Sequence, residues 1–173
     1  MSKRQQKIDV IKKYISNAGG TWPAYSYGNI PSKQLSNACY SYAGAVEKKD
    51  VLGLIDITVL GNGKKGMLFT ENKIYYDNGA LGSKGSISYM SISDRKSMPQ
   101  DMLDSKYNQT ALWEMISKLA HIEGATIAGT VGEFGDALGE MVNGVQEFQD
   151  VYNKGKELFS AIGSFFDDGT TKK

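Results

Sequence analysis

Apolar residues recur at helical spacing in two segments near the start of the chain. Residues 3–17 carry one such stripe and end at Gly19-Gly20, which predicts a first helix. A second helix is predicted from Pro31, because the missing N–H of proline costs nothing in the first helical turn. The residues of the two buried stripes are Ile8, Ile11, Ile15, Leu35, Cys39 and Tyr42.

The pattern changes from helical to extended at Val51. Residues 51–60 form a nearly continuous apolar, β-branched run, which predicts a central strand. Residues 66–70 and 73–77 are two further strand-like runs, and the two residues between them fit a hairpin. Residues 86–92 alternate as a fourth strand. Short connections between consecutive strands predict an antiparallel meander, and the fold class is therefore α+β with N-terminal helices flanking a small sheet.

Two segments around these strands are less regular. Residues 93–108 are polar, and a closing helix is predicted over 111–123 with Asn108 or Thr110 as its cap. Residues 21–31 form a loop that is rich in aromatic residues and helix breakers. Its aromatic residues are equally consistent with a partner-binding surface and with packing of the loop onto the sheet. These residues are Trp22, Tyr25 and Tyr27.

Residues 124–173 have a different character from residues 1–123, and we expect them to be a separate helical segment and tail. Thr130 and Glu133 fit a capping box. Apolar residues then follow heptad spacing, at Val131, Phe134, Leu138, Met141, Val145, Phe148 and Tyr152. Such a helix could pack on its own domain, pair with another chain to give a homo-oligomer, or lie on a membrane. Its polar face is acidic, which disfavours an anionic membrane.

Composition narrows the choice of function. The chain has 173 residues and a net charge of +1, divided as +5 over residues 1–123 and −4 over residues 124–173. This asymmetry is too mild to indicate nucleic-acid binding, and no basic stripe is interleaved with the tyrosines. One cysteine and one histidine exclude an intramolecular disulfide and a two-histidine metal motif within one chain. We therefore expect no metal and no cofactor.

The compartment is predicted from what the sequence pattern lacks. No run approaches the roughly 18 consecutive apolar residues that a membrane span needs. Residues 1–7 are basic, but no long apolar stretch follows them, so that a secretory signal is not expected. The prediction is a cytoplasmic protein.

The segment Gly61–Gly66 matches G-x-G-x-x-G. A dinucleotide site requires this motif to open a helix, and here a predicted strand follows it. The preferred interpretation is a glycine-rich hairpin turn. The alternative is an anion-binding turn that presents Lys64 and Lys65 to phosphate or to lipid headgroups.

Three isolated residues are of types that can take part in catalysis. Asp56 lies alone in an apolar strand, and we expect its side chain to reach solvent or a backbone donor rather than to act as a catalytic acid. Cys39 falls on a buried stripe and is predicted to be a small hydrophobe. His121 lies beside the apolar stripe of the closing helix, where a structural role is expected.

Residues of about 30–92 carry a family resemblance. The segment 30–38 has the form Ile-Pro-x-Lys-x-Leu-x-Asn-Ala, a strand ends in Thr58-Val59 before Gly61, and residues 68–76 form a Leu-x-Thr-x-x-x-Ile-Tyr-Tyr hairpin. This region resembles the pleckstrin-homology-like modules of small bacterial or phage accessory proteins. The resemblance implies an adaptor that binds proteins or, in some members, lipid headgroups through a basic first hairpin loop. Too few strands follow residue 92 for a full barrel, which implies a truncated one.

The sequence as a whole predicts a non-enzymatic, protein-binding adaptor or inhibitor. It would self-associate or dock through its C-terminal helix. The alternative prediction is a peripheral protein that binds membrane or phosphate headgroups through the turn that contains Lys64 and Lys65.

Overall fold

The computed structural model describes residues 1–44, 46–78, 84–103 and 106–127. They belong to the first of two units into which the chain divides, Met1–Ala128, whereas the second unit, Gly129–Lys173, lies outside the described residues. In chain order the helices and strands are α1 (Lys3–Gly19), β1 (Ala24–Ser26), α2 (Ser32–Ser41), β2 (Val51–Asp56), β3 (Gly66–Thr70), β4 (Lys73–Asp77), β5 (Lys84–Ser88) and α3 (Gln109–Glu123). Short 3-10 turns occupy Lys48–Asp50, Tyr89–Ser91, Arg95–Ser97 and Gln100–Leu103.

The five strands form one open antiparallel sheet in the order β1-β2-β3-β4-β5. The predicted α+β class and the meander of β2 to β5 are therefore confirmed. The sequence prediction missed β1, which lies within the loop predicted over 21–31. This strand exists because Tyr27 N–H donates to Leu52 O at 2.8 Å and Asp56 N–H donates to Pro23 O at 2.9 Å. Pairing between residues so distant in sequence leaves no local pattern.

Two strands end earlier than predicted. β2 stops at Asp56 rather than near residue 60, because the next residues turn back towards the Asp56 carboxylate. β5 stops at Ser88, and the predicted end of that strand is instead a 3-10 turn that buries Tyr89 and Ile92 in the core.

The first face of the sheet is covered by α1 and α3, which run antiparallel. Asn108 N–H donates to Ala18 O at 3.1 Å where α1 ends and α3 begins. At the opposite ends of the two helices, Lys3 Nζ donates to Glu123 O at 2.9 Å. Asn108 also caps α3, as predicted. The main buried residues of this layer are Ile8, Ile11, Ile15, Leu52, Ile55, Met67, Phe69, Leu112, Met115 and Leu119.

Gly53 lets α1 approach the sheet closely. A Cβ atom at this position would lie 2.7 Å from Ile15 Cδ1 and 2.8 Å from Ile11 Cγ2. The register of β2 against β3 shifts between Val51 and Gly53, which is the signature of a β-bulge. The bulge and the absence of a side chain at Gly53 together allow the apolar stripe of α1 to pack directly on the sheet.

Lys7 is buried on the same face although the helical pattern placed it outside the apolar stripe. Only 2% of its surface is exposed, and its ammonium group bonds to the Glu123 carboxylate and to the Glu71 carbonyl oxygen. The ammonium also lies 5.0 Å from the centre of the Tyr89 ring. A buried cation needs such partners, and these contacts tie α1, α3 and the β3–β4 turn together.

The second face of the sheet is covered by α2 over a smaller core. The buried residues of this layer are Ala38, Cys39, Tyr42, Ala43, Val51, Leu54 and Leu68. Of the predicted stripe, Cys39 and Tyr42 are buried and Leu35 is partly buried. Two polar residues on its other sides, Gln34 and Asn37, contact the connection between β2 and β3.

Candidate functional site

The connection between β2 and β3 is residues 57–65, here called the β2–β3 loop. It is a hairpin connection between antiparallel strands, as preferred at the sequence level over a dinucleotide motif. The Asp56 side chain, fully buried at the end of β2, organises the loop. Its carboxylate accepts from Thr58 N–H at 2.9 Å, from the Thr58 hydroxyl at 2.5 Å and from Gly63 N–H at 2.8 Å. Asp56 therefore reaches backbone donors, and it does so away from solvent.

The backbone N–H groups of the loop are largely engaged within the loop. Gly61 N–H donates to Thr58 O at 3.0 Å, and Asn62 N–H donates to the Thr58 hydroxyl at 2.7 Å. Lys64 N–H donates to the Asn62 side-chain oxygen at 3.0 Å, while Gly63 N–H is held by Asp56. An anion-binding nest needs several convergent free N–H groups. Residues 61–64 offer none, so any anion contact made by this loop must come from its side chains.

Helix α2 holds the loop from the side. Gln34 Nε2 donates to Gly61 O at 2.8 Å, and Asn37 Nδ2 donates to Asn62 O at 2.6 Å. Gly63 packs directly on the helix, because a Cβ atom there would lie 2.5 Å from Gln34 O, and its φ of +74° favours glycine. The loop and α2 therefore form one fixed unit.

The tip of this fixed loop presents apolar side chains to solvent. Val59 is 91% exposed and Leu60 is 86% exposed. The apolar run over 51–60 predicts a strand position for both, and this prediction is wrong because β2 ends at Asp56. The available signal was the following Gly61-Asn62-Gly63, since glycine and asparagine favour a turn rather than the end of a strand.

The charged side chains of the loop and α2 are all basic. In residues 57–66 they are Lys64 and Lys65, and in residues 30–44 the single one is Lys33. Lys33 and Lys64 are exposed, and Lys65 is half-buried. The surface made by the loop and α2 thus joins exposed apolar residues with positive charge.

The three aromatic residues of the N-terminal loop do not form one surface. Trp22 packs against the core under α1 and α3, and Tyr25 packs against the core under α2. Tyr27 is 41% exposed, and the Arg4 guanidinium lies 5.3 Å from the centre of its ring. The structure places the first two where they pack the chain onto the sheet. A partner contact by these residues stays a prediction.

Cys39 and His121 lie on opposite sides of the sheet. Cys39 is buried in the core under α2, and burial raises the pKa of its thiol, which disfavours the reactive thiolate. His121 is exposed on α3, the helix of the other face. The described residues contain no group of three or more His, Cys, Asp or Glu side chains that could hold a metal ion.

The predicted heptad helix lies outside the described residues. Docking or self-association through it therefore stays a prediction. Its seam consists of Val131, Phe134, Leu138, Met141, Val145, Phe148 and Tyr152.

Comparison with known proteins finds no family model, no curated protein and no solved structure that matches this chain. Among the described residues, no helix is long and apolar enough to cross a membrane.

Proposed function

We propose that this protein is a non-enzymatic binding module that docks peripherally on an anionic membrane through the β2–β3 loop. The observation that carries the proposal is the exposed pair Val59 and Leu60 at the tip of a loop that is fixed from two sides. Because the loop is fixed, Val59 and Leu60 cannot turn inwards to the core. Exposed apolar side chains of this kind are typical of a site that contacts an apolar environment outside the protein.

The surrounding charge favours a membrane over an uncharged apolar partner. Lys64 and Lys65 follow the apolar tip, and residues 57–66 contain no exposed acidic side chain. Each lysine near an anionic bilayer surface contributes about 1 kcal/mol of attraction. Full burial of a Val or Leu side chain is worth about 1.5–3 kcal/mol, so a shallow contact made by two such residues is weak and reversible.

A free phosphate ion is a less suitable ligand for this loop than a membrane surface. The N–H groups of residues 61–64 are engaged within the loop, so that a phosphate would meet only lysine side chains. Two flexible lysines without backbone donors make a poor site for a single anion. They suit a surface with many anionic groups, where no fixed geometry is required.

The test is cosedimentation of the full chain with vesicles of phosphatidylcholine, with or without phosphatidylglycerol. We expect binding only to the vesicles that contain phosphatidylglycerol, and weaker binding as salt is added. Val59→Ser with Leu60→Ser, and separately Lys64→Glu with Lys65→Glu, should each remove most of the binding.

Matched controls exist elsewhere on the chain. Met90→Ser removes an exposed apolar side chain from the turn after β5, and Lys12→Glu with Lys96→Glu makes the same change in net charge. Both controls should bind as the wild type does. Equal loss of binding in the loop variants and in the controls would argue against the loop as the site, and full binding by both loop variants would refute the proposal.

A further inference from the structure

Exposed large apolar side chains are concentrated on the unit formed by the β2–β3 loop and α2. Besides Val59 and Leu60, this unit exposes Tyr40 on α2, 79% of whose surface is accessible to solvent. Three of the six exposed large apolar residues among the described residues thus lie on two segments that bond to each other. The six are Met1, Tyr27, Tyr40, Val59, Leu60 and Met90.

Tyr40 is positioned by the same helix that holds the loop. Residues 33, 37 and 40 are spaced by four and three positions, so that they lie along one side of α2. The middle residue is Asn37, whose side chain donates to Asn62 O in the loop. Tyr40 lies one helical turn beyond this contact and Lys33 one turn before it. Tyr40 and Lys33 therefore lie on the side of α2 that also holds the loop.

The chemistry of these two residues fits the interfacial region of a bilayer. Tyrosine has an apolar ring and a polar hydroxyl, and it is enriched where the acyl region meets the headgroups. The long apolar stem of a lysine can lie along the interface while its ammonium reaches lipid phosphates. Neither residue contributes to the core, since the buried stripe of α2 lies on its other side.

We infer that α2 is a second membrane contact, in which Tyr40 anchors the protein in the interfacial region and Lys33 binds anionic headgroups. This inference rests on the proposed membrane function of the loop and extends it to a two-part surface. The loop inserts Val59 and Leu60, and the hydrogen bonds from α2 fix Tyr40 and Lys33 relative to that tip. The protein consequently binds the bilayer in one orientation rather than pivoting about a single loop.

The experiment compares Tyr40→Ser, Lys33→Glu and Tyr27→Ser by cosedimentation of the full chain with vesicles that contain phosphatidylglycerol. We expect Tyr40→Ser to weaken binding about tenfold through loss of apolar contact. Lys33→Glu should weaken binding by roughly the same factor, through loss of one attraction and gain of one repulsion. Tyr27→Ser is the matched control, because it removes an exposed tyrosine from another part of the chain, and it should bind as the wild type does.

A spectroscopic measurement separates membrane contact from an indirect effect. Tyr40→Trp should retain binding, and its added fluorescence, taken as the difference from wild type, should shift to the blue with vesicles and be quenched by brominated lipid. Tyr40→Ser, Tyr40→Trp and Lys33→Glu should keep the wild-type melting temperature, since these side chains are exposed.

The outcomes distinguish the two proposals. If the wild type does not bind the vesicles, both proposals fail and a protein partner becomes the occupant of this surface. If the wild type binds and loses binding on change of Val59 and Leu60, but Tyr40→Ser and Lys33→Glu bind normally, the loop docks alone and the inference about α2 is overturned. Equal loss in Tyr27→Ser and Tyr40→Ser, or an unshifted Tyr40→Trp emission, would also overturn it.

Discussion

The two faces of the sheet are held by different means. Under α1 and α3, apolar side chains interlock, and the one buried cation described there, Lys7, is paired with Glu123. At the edge of the other face, α2 uses the amides Gln34 and Asn37 to hold loop carbonyls, and a buried carboxylate, Asp56, holds loop N–H groups. The first face buries its apolar side chains. The second buries a smaller apolar core, and at its edge polar groups are buried while Val59 and Leu60 are exposed.

This contrast supports the proposed role of the β2–β3 loop. A surface loop that served only to connect two strands would need no buried carboxylate and no amide contacts from a helix. The polar contacts around the β2–β3 loop cost desolvation and return little net stability, since an intramolecular hydrogen bond contributes only about 1 kcal/mol. Their effect is to fix the exposed tip. Substitutions under α1 and α3 should therefore lower stability most, whereas substitutions that loosen the loop should also weaken vesicle binding.

The largest expected effect comes from the apolar face. Ile11→Ala removes a fully buried side chain of α1 that packs on Gly53, and should lower the free energy of unfolding by about 3–4 kcal/mol. Val10→Ala, at a half-buried position on the same helix, is the control and should cost clearly less. Urea unfolding measures both. Similar losses at the two positions would contradict the assignment of Ile11 to the centre of the core.

The contact between the loop and α2 should break when Gly63 gains a side chain. Gly63→Ala forces a methyl group against Gln34 O and strains a residue with positive φ, and should cost about 2–3 kcal/mol. Gly61→Ala carries positive φ without a nearby atom, so it should cost only about 1 kcal/mol. Denaturant unfolding gives both values. If Gly61→Ala were the more costly change, the close approach at Gly63 would not be what positions the loop.

Removing the charge of Asp56 tests the other support of the loop. In Asp56→Asn the amide nitrogen would face a donor, either Gly63 N–H or Thr58, and the loss of stability should be about 2 kcal/mol. Vesicle binding should fall as well, because the tip would no longer be held. Asp9→Asn, at an exposed position of α1, changes the net charge equally and should leave both properties unchanged. Unaltered stability of Asp56→Asn would show that the loop is held without this carboxylate.

Smaller effects on stability are expected when either of two buried tyrosines, one on each face, is replaced by phenylalanine. The Tyr89 hydroxyl donates to Thr70 O at 3.2 Å, so Tyr89→Phe should cost about 1 kcal/mol. The Tyr42 hydroxyl is buried and has no hydrogen-bond partner among the described residues, so Tyr42→Phe should be neutral or slightly stabilising. Thermal melts of the two variants measure this difference. A larger loss of stability in Tyr42→Phe than in Tyr89→Phe would contradict the hydrogen bonding described for the two hydroxyl groups.

The same tyrosines predict a loss of stability at alkaline pH. Burial raises the pKa of both Tyr42 and Tyr89, so the folded state keeps protons that the unfolded state releases above its tyrosine pKa of about 10. Their stabilising contribution is present below that pH and is lost as the pH rises towards the folded-state values. Urea titrations above neutral pH should show a steeper fall for the wild type than for a variant with phenylalanine at both positions. Identical pH profiles of the two proteins would show that these tyrosines do not cause the loss of stability.

Much of the secondary structure was predictable because its signals are local. The stripe of Ile8, Ile11 and Ile15 predicts α1, the cap Asn108 predicts the start of α3, and the spacing of β3 and β4 predicts their hairpin. β1 was not predictable, because three residues with no apolar alternation become a strand only by pairing with β2. Lys7 gave no signal of burial, since its partners come from α3 and from the β3–β4 turn.

The features of the candidate site also divide into those with local signals in the sequence and those without. The two N-terminal helices, the meander and the basic turn at Lys64 and Lys65 could be predicted from the sequence, because periodicity, turn residues and charge are properties of residues close together along the chain. The exposure of Val59 and Leu60, and the presence of the exposed Tyr40 on the helix that holds the loop, follow only from the folded structure. They depend on Asp56 and Gln34, whose hydrogen bonds to the loop join residues that are distant in sequence.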